Sequence, residues 1–130
     1  MILLDTHVWW WSVSEPDNLS AAAMEAIRRQ KPAQRAIASI SIWELAMMAA
    51  KKRIVIDIPV AVWLARAVHE TGISVVELSP DIAVDACALP GAFHIDPADR
   101  IIVATARVHG LKLLTKDQAI LAYDQVRTLW

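Results

Sequence analysis

Short apolar runs alternate with longer apolar or amphipathic stretches along the chain, and this alternation is its clearest structural signal. Runs with few polar residues are typical of strands buried on both faces of a parallel sheet. The longer stretches have the spacing or length of helices that pack on such a sheet. The sequence therefore predicts an α/β fold with a parallel sheet. The predicted strands are residues 1–4, 36–38, 74–78, 111–115 and, at the sheet edge, 126–130.

Several predicted helices are marked by residues that suit their first positions. Ser20 suits an N-cap, and Ser41 followed by Glu44 three residues later matches a capping box. Asp96 suits the N-cap of a later helix, with Pro97 at its first position. The predicted helices are residues 8–13, 21–29, 42–53, 59–71, 80–89, 97–109 and a short one after 117.

Two helices carry more apolar surface than one core face can bury. Trp9, Trp10 and Trp11 follow one another directly, so on a helix they sweep about 200°. A core-facing stripe is only a little over ~100° wide, so at least one of these rings should lie off the main core. It would face a partner or be covered by a neighbouring loop. Residues 42–50 are apolar at nearly every position, which predicts cover on two sides.

Composition limits the possible classes of protein. The chain has 130 residues, 56% of them hydrophobic, which predicts a single domain, 1–130, with a full core. Thirteen basic and 14 acidic residues give a net charge of −1, so no overall attraction to nucleic acid is expected. Cys87 is the only cysteine, which favours the reducing cytoplasm. No signal peptide or membrane-spanning run is predicted.

Four acids are predicted to meet at one edge of the sheet. Asp5 and Asp117 directly follow predicted strands, whereas Glu44 and Asp99 are predicted in the first turns of helices. Ligands of open α/β sheets bind outside the carboxyl ends of the strands, where such residues gather. Each close pair would cost roughly 4 kcal/mol at 4 Å if nothing neutralised it. Capping remains an alternative for Glu44 and Asp96, and interaction with the helix dipole for Asp99. An acid at Asp5, at the end of an apolar strand, has little evident structural use.

The type of ligand indicates the cation and the chemistry. Carboxylate oxygens suit Mg²⁺ or Mn²⁺, whereas zinc would favour histidine or cysteine. A carboxylate cluster that holds one or two such ions is the arrangement for in-line displacement at phosphorus. The acids therefore predict a metal-dependent nuclease. RNA could follow one of two basic clusters, residues 28–35 or 51–53, although both also suit ordinary helix ends.

Four segments give the chain a resemblance to the PIN-domain family, and within it to VapC-type toxins of toxin–antitoxin pairs. They are residues 3–8 (LLDTHV), 41–46 (SIWELA), 94–100 (HIDPADR) and 114–117 (LTKD), in the expected order along nearly the whole chain. The resemblance implies a three-layer α/β/α fold with a parallel sheet of about five strands. It also implies a Mg²⁺-dependent endoribonuclease that cuts single-stranded or looped RNA.

The resemblance also implies roles for particular residues. The four acids Asp5, Glu44, Asp99 and Asp117 match the catalytic and metal-binding positions of the family. Supporting positions are Thr6, Asp96, Arg100 and Thr115; Arg100 could instead be paired with a neighbouring acid. Members often have an aromatic residue where this chain has Ala98, a departure that concerns packing. The implied partners are an antitoxin and a second copy of the chain in a homodimer. The predicted antitoxin groove comprises Trp9, Trp10, Trp11, Trp43 and Met47.

Other functions remain open at this stage. A receiver-like signalling domain also combines acids, Mg²⁺ and a late lysine, here Lys116, but it needs an acid after the third strand, where residues 78–80 offer none. A phosphoaspartate enzyme would need an acid where this chain has His7. A PIN nuclease that processes RNA without being a toxin, or a PIN fold that only binds, are the remaining alternatives.

Overall fold

The computed structural model describes residues 1–94 and 96–130. Its sheet has five parallel strands in the order β3-β2-β1-β4-β5, which places β1 at the centre. Leu4 of β1 lies beside Ile37 of β2 and Leu114 of β4, so these three strands end together at one edge of the sheet. The strands are β1 (Ile2–Leu4), β2 (Arg35–Ala38), β3 (Ser74–Val76), β4 (Lys112–Leu114) and β5 (Thr128–Leu129).

Helices connect the strands, as parallel pairing requires. Short 3₁₀ helices lie at Pro16–Asn18 and Pro32–Gln34. No helix in the described ranges is both long and apolar enough to cross a membrane. The α-helices are α1 (Thr6–Ser14), α2 (Ala21–Arg29), α3 (Ile40–Ala50), α4 (Val60–His69), α5 (Pro80–Cys87), α6 (Pro97–Val108) and α7 (Gln118–Leu121).

The two faces of the sheet are covered by different helices. Leu3 and Leu4 are adjacent in β1, so their side chains point to opposite faces, and each belongs to a different core cluster. Leu4 packs with residues of α1, α2 and α4, whereas Leu3 packs with residues of α6 and α7. The predicted three-layer α/β/α arrangement is therefore confirmed.

The tryptophan run of α1 lies largely inside the first of these cores. Trp9 is 0% exposed and Trp10 is 6% exposed, and both rings contact Trp63 of α4. Trp11 is half-buried at the margin of this core, where it packs against Trp130, so the prediction that one ring lies off the core holds only in part. The assignment of Trp9 to an antitoxin groove is wrong, because its side chain is inaccessible from outside.

Two predicted helix starts differ from the structure. α3 begins at Ile40 after Ser39, so Ser41 lies inside the helix, fully buried, and no capping box forms with Glu44. Glu44 is consequently in the second turn of α3. Helix α1 begins at Thr6, two residues earlier than predicted, because Asp5 accepts a hydrogen bond at the N-cap. Asp5 therefore has a structural use that the apolar strand before it did not indicate.

Candidate active site

The site lies at the carboxyl edge of the sheet, where β1 and β4 end side by side. Asp5 follows β1 directly, and Asp117 follows β4 after two intervening residues. Each acid also caps the helix that it precedes, since Asp117 Oδ1 accepts a hydrogen bond from the Ile120 N–H (3.0 Å). A cavity of about 450 Å³ opens here, lined by Asp5, His7, Trp11, Glu44, Asp96, Asp99, Lys116 and Asp117.

Three of the four predicted acids converge closely. Asp5, Glu44 and Asp99 each present a carboxylate oxygen within 4.8 Å of the other two. Asp5 lies directly after β1, Glu44 lies in α3 and Asp99 lies in α6, three segments far apart in the chain. Asp117 lines the same cavity but is outside this three-oxygen cluster. The structure thus supports the predicted convergence, with Asp117 placed more peripherally.

Asp5 is held rigidly at the bottom of the cavity. Its Oδ1 accepts a hydrogen bond from the Thr6 N–H (2.7 Å), and its Oδ2 accepts one from the Thr115 hydroxyl (2.6 Å). Burial raises the pKa of Asp5, whereas these two hydrogen bonds oppose the rise. Each oxygen keeps a free lone pair, so the carboxylate can still bind a cation.

Glu44 is positioned by a short chain of hydroxyl groups. The Thr6 hydroxyl donates to Glu44 Oε1 (2.6 Å) and lies 2.9 Å from Ser41 Oγ. A hydroxyl has one hydrogen to donate. Because Thr6 donates its hydrogen to Glu44, the Ser41 hydroxyl is the donor in the contact between Ser41 and Thr6. Burial raises the pKa of Glu44, and the negative charges of Asp5 and Asp96 add to the effect.

Asp99 has the most perturbed carboxyl of the three. Burial, followed by the negative charges of Asp5, Asp96, Glu44 and Asp117, raises its pKa to about 8. His94 Nε2 lies 3.2 Å from Asp99 Oδ2, an ion-pair distance, although the two groups are not aligned as a hydrogen bond. Asp99 is therefore a carboxyl that needs positive charge nearby in order to ionise at neutral pH.

This arrangement fits a hard divalent cation. Three carboxylate oxygens within 4.8 Å of one another disfavour ionisation of all three groups together. Burial is the main cause of the raised pKa values of all three, and the negative charges of neighbouring acids add to it. A divalent cation reverses that cost and matches carboxylate donors. Asp5, Glu44 and Asp99 are therefore the residues that would hold a metal ion.

Two further positions that were predicted as supporting, Asp96 and Arg100, have different contacts. Asp96 accepts a hydrogen bond from the Asp99 N–H (3.1 Å), so it caps α6 as predicted. Arg100 is not paired with an acid in the described ranges. Its Nε donates to the Ala86 carbonyl (2.8 Å), and its other contacts are the Phe93 and His94 carbonyls (3.4 Å each). It ties α5 to the segment that carries His94.

Several residues of the site were not predicted. Ser41 appeared to be an N-cap, and its contact with Thr6 joins residues 35 positions apart. His94 was left without a role, although it adjoins the acids. Lys116 lines the cavity with its ammonium group 5.7 Å from the centre of the Trp11 ring. The one signal for Lys116 was its place between the strand and Asp117; nothing local indicated the other two.

The residues predicted for the antitoxin groove lie in two separate cavities. Trp10, Trp11 and Met47 line one of about 440 Å³, together with residues 53–55. Trp43 and Met47 line another of about 680 Å³, between α3 and the start of α6. Of the two basic clusters, residues 28–35 lie before β2, at the edge of the sheet opposite the acids. Residues 51–53 follow α3, and Arg53 lines both of these cavities together with Glu44.

The Thr115 hydroxyl joins two of the acidic segments, so its loss should be costly. It donates to Asp5 and accepts from the Asp117 N–H (3.0 Å) at a position that is 0% exposed. We expect Thr115→Val to lower the free energy of unfolding by about 1–3 kcal/mol, because both partners lose a buried hydrogen bond. Urea denaturation followed by tryptophan fluorescence measures this.

The matched control for that change is Thr105→Val. Thr105 is equally buried, but its hydroxyl donates to the Ile101 carbonyl, which the helix already uses. Loss of the Thr105 hydroxyl should therefore lower the free energy of unfolding by less. Thr115→Ser keeps the hydroxyl, so its free energy of unfolding should remain close to that of wild type. Equal losses for the two valine variants would contradict a special role for the Thr115 hydroxyl.

The receiver-like alternative has no support in this geometry. β3 is an edge strand, and Glu77, the acid that follows it, does not line the acidic cavity. An acceptor acid after the third strand is therefore missing from the site.

Comparison with known proteins agrees with the fold. Residues 2–126 match the PIN domain, and the chain belongs to this family. It is 42% identical over 131 residues to Ribonuclease VapC22 of Mycobacterium tuberculosis, covering 99% of this chain and 98% of that protein. The resemblance to VapC-type proteins is thereby confirmed.

Solved structures with the same fold include members of toxin–antitoxin complexes. A toxin–antitoxin complex from Klebsiella pneumoniae superposes with a TM-score of 0.69 at 24% identity, covering 100% of this chain and 97% of that chain. FitAcB from Neisseria gonorrhoeae gives a TM-score of 0.71 at 20% identity, with the same coverage. At these identities the likeness concerns the fold.

Proposed function

We propose that this protein is a metal-dependent endoribonuclease that acts as the toxin of a toxin–antitoxin pair. The observation that carries the proposal is the cluster of Asp5, Glu44 and Asp99 at the carboxyl edge of a PIN fold. The 42% identity to a protein named as a ribonuclease supports the choice of RNA as substrate. The residues form one domain, 1–130, which works in the cytoplasm.

Each site residue has a distinct part in this proposal. Asp5, Glu44 and Asp99 would hold Mg²⁺ or Mn²⁺, and Asp117, at the rim of the same cavity, would orient water or hold a second ion. When bound, the ion supplies a Lewis acid that activates water and neutralises phosphate charge. Thr6 and Thr115 hold two of the carboxylates by hydrogen bonds of 2.6 Å. Lys116 adds positive charge beside the position of the substrate phosphate.

The antitoxin is proposed to cover the cavity of Trp10, Trp11 and Met47. This cavity adjoins the acidic one, since His7, Trp11 and Glu44 line both. A segment seated there would block access to the carboxylates. A chain of similar fold occurs in a toxin–antitoxin complex from Klebsiella pneumoniae, which supports such a partner. A homodimer of this chain is a further part of the proposal.

Cleavage of RNA by the purified protein tests the nuclease. A labelled single-stranded RNA should be cut when Mg²⁺ or Mn²⁺ is present, and cutting should stop in excess chelator and return when metal is restored. The same preparation should leave a DNA strand of equal sequence intact. Cleavage that continues in chelator would indicate another mechanism or a contaminating ribonuclease.

Expression in cells tests the toxin separately. Induction of the wild-type chain should arrest growth, and co-expression of the small reading frame next to it should relieve the arrest. Val55→Glu adds a charge to the proposed antitoxin cavity at a side chain that is 81% exposed. That variant should still arrest growth but escape relief. An active ribonuclease that causes no arrest would instead support an RNA-processing role.

A further inference from the structure

We propose that the groove between α3 and the first turn of α6 is a nucleotide subsite, in which an RNA base next to the cleaved phosphate stacks on Trp43 while Lys51 and Arg53 bind the neighbouring phosphate. The inference rests on the proposed ribonuclease function and names a residue that would determine its specificity. The groove has a volume of about 680 Å³, which is ample for a nucleotide.

One wall of the groove is a single stripe of α3. Residues that are three or four positions apart lie on the same side of a helix. The residues of this stripe are Ile40, Trp43, Met47 and, directly after the helix, Lys51. The opposite wall is the start of α6, with Pro97, Ala98 and Ile101. The groove thus has apolar side chains on both walls, with charged residues at its ends, and the small Ala98 side chain leaves room opposite α3.

Trp43 is unusual among the tryptophans of α1, α3 and α4. Its side chain is 57% exposed, whereas Trp9 and Trp10 are at most 6% exposed. An exposed indole is costly to leave in water, and the packing of the core does not require it. Aromatic rings of this kind provide platforms on which unpaired bases stack, at about 1–3 kcal/mol per base.

The groove is continuous with the acidic cavity. Glu44 and Asp96 line both of them. A phosphate held at the carboxylates therefore lies at the mouth of the groove, so the adjoining nucleoside enters it directly. This position selects a base immediately beside the cleaved bond.

The far end of the groove is positively charged. Lys51 and Arg53 line it, and neither side chain forms an ion pair or hydrogen bond with another of the described residues. Seven residues of helix separate Glu44 from Lys51, a rise of about 10 Å. The groove therefore has acids and the Trp43 ring at the end where a metal and phosphate would bind, Met47 in the middle, and cations at the other end. That order matches a nucleic acid backbone rather than an apolar peptide.

The turn after α3 places these cations. Lys52 adopts a left-handed conformation (φ 57°), and the N–H groups of Lys52 and Arg53 donate to the Ala49 and Met48 carbonyls. This is the Schellman arrangement that usually requires glycine. It reverses the chain at the end of α3, so that Arg53 returns to the groove instead of continuing along the helix axis.

RNA binding by variants tests the subsite. Asp99→Asn prevents cleavage and serves as the background, with a fluorescein-labelled single-stranded RNA of mixed sequence as the probe in Mn²⁺. Adding Trp43→Ala should raise the Kd about 5- to 100-fold, whereas Trp43→Phe should keep most of the affinity. Lys51→Gln should weaken binding more than Lys112→Gln, which removes the same charge from an exposed lysine at the opposite edge of the sheet.

Probes that lack a single base identify the stacked nucleotide. Replacing one nucleotide at a time by an abasic unit should reveal one position, adjoining the cleavage site, at which affinity falls. The Trp43→Ala variant should be insensitive to that same replacement, because the two changes remove one interaction. Independent, additive losses would overturn the stacking.

The outcomes separate the subsite from the proposed function. If wild type cleaves RNA and Trp43→Ala binds and cleaves equally well, the subsite is wrong and the nuclease stands. If wild type binds RNA through Trp43 without cleaving, the nuclease is wrong and the subsite stands. If Trp43→Ala keeps its RNA binding but loses affinity for the antitoxin, the groove belongs to the antitoxin. If it keeps RNA binding but no longer self-associates in sedimentation, the groove belongs to a second copy of the chain.

Discussion

Asp99→Asn should lower the rate of RNA cleavage by more than about 100-fold while leaving the fold intact. Mutation of a residue that only hydrogen-bonds to a metal ligand typically lowers metal affinity or activity about 10- to 100-fold. Asp99 supplies one of the three converging oxygens itself, so its loss should cost more. Asparagine has the same shape but no charge, so the ion would lose a carboxylate and the carboxyl with a pKa of about 8 would disappear. Single-turnover cleavage with saturating Mn²⁺ measures the loss.

Asp96→Asn is the matched control for this change. It removes the same charge three residues earlier, but asparagine is as good an N-cap as aspartate, so the hydrogen bond with the Asp99 N–H can persist. Most of the cleavage activity should remain. If the two variants lose equal activity, Asp96 is more than a cap; if Asp99→Asn cuts at the wild-type rate, the metal site is misassigned.

The metal-free protein should lose stability as the pH rises from about 4 to about 8. The pKa of Asp99 in the folded protein is about 8, against an ordinary value of 3.8, so the folded state binds more protons than the unfolded state in this window. Stability falls with pH wherever that holds. A shift of about four pKa units sets an upper limit of about 5 kcal/mol on the loss. The raised pKa values of Asp5 and Glu44 act in the same direction.

Urea denaturation in chelator, at several pH values across this window, measures the effect. Asp99→Asn should flatten the dependence and be more stable than wild type at the alkaline end, whereas Asp57→Asn, an exposed acid away from the site, should change neither. Divalent metal should restore wild-type stability mainly at high pH, by about 2.7 kcal/mol at a hundredfold excess over Kd. If the stability in chelator does not depend on pH, burial and the neighbouring negative charges do not raise the pKa values of these carboxyls as described.

Local signals in the sequence explain why much of the fold was predictable. The strands, the helices between them and the α6 cap depend on residues within a few positions of one another. Asp96 and Asp99, for example, are three apart, and their hydrogen bond is the predicted one. The same short range explains the error at Ser41. The local pattern predicted an N-cap there, but Ser41 lies inside α3, where its buried hydroxyl contacts Thr6.

The tryptophans show the limit of angular reasoning on one helix. The width of the run predicted that one ring lies off the core, whereas Trp11, the most exposed of the three, is half-buried and packs against the margin of the core. The surroundings of each ring depend on α4 and on the C-terminal residue. Trp63 of α4 packs on both Trp9 and Trp10, whereas Trp130 packs on Trp11. No pattern within residues 9–11 contains that information, so Trp9 was wrongly placed at the surface.

The sequence by itself determined which acids are present at strand ends and helix starts, and hence the class of chemistry. Only the tertiary structure decided that Asp5, Glu44 and Asp99 share one cluster while Asp117 stands at its rim. It also decided that Thr115 anchors Asp5 across 110 positions and that burial raises the pKa of Asp99. The physical reason is that distance, desolvation and mutual charge depend on segments remote in the chain, whereas a residue's chemical type does not.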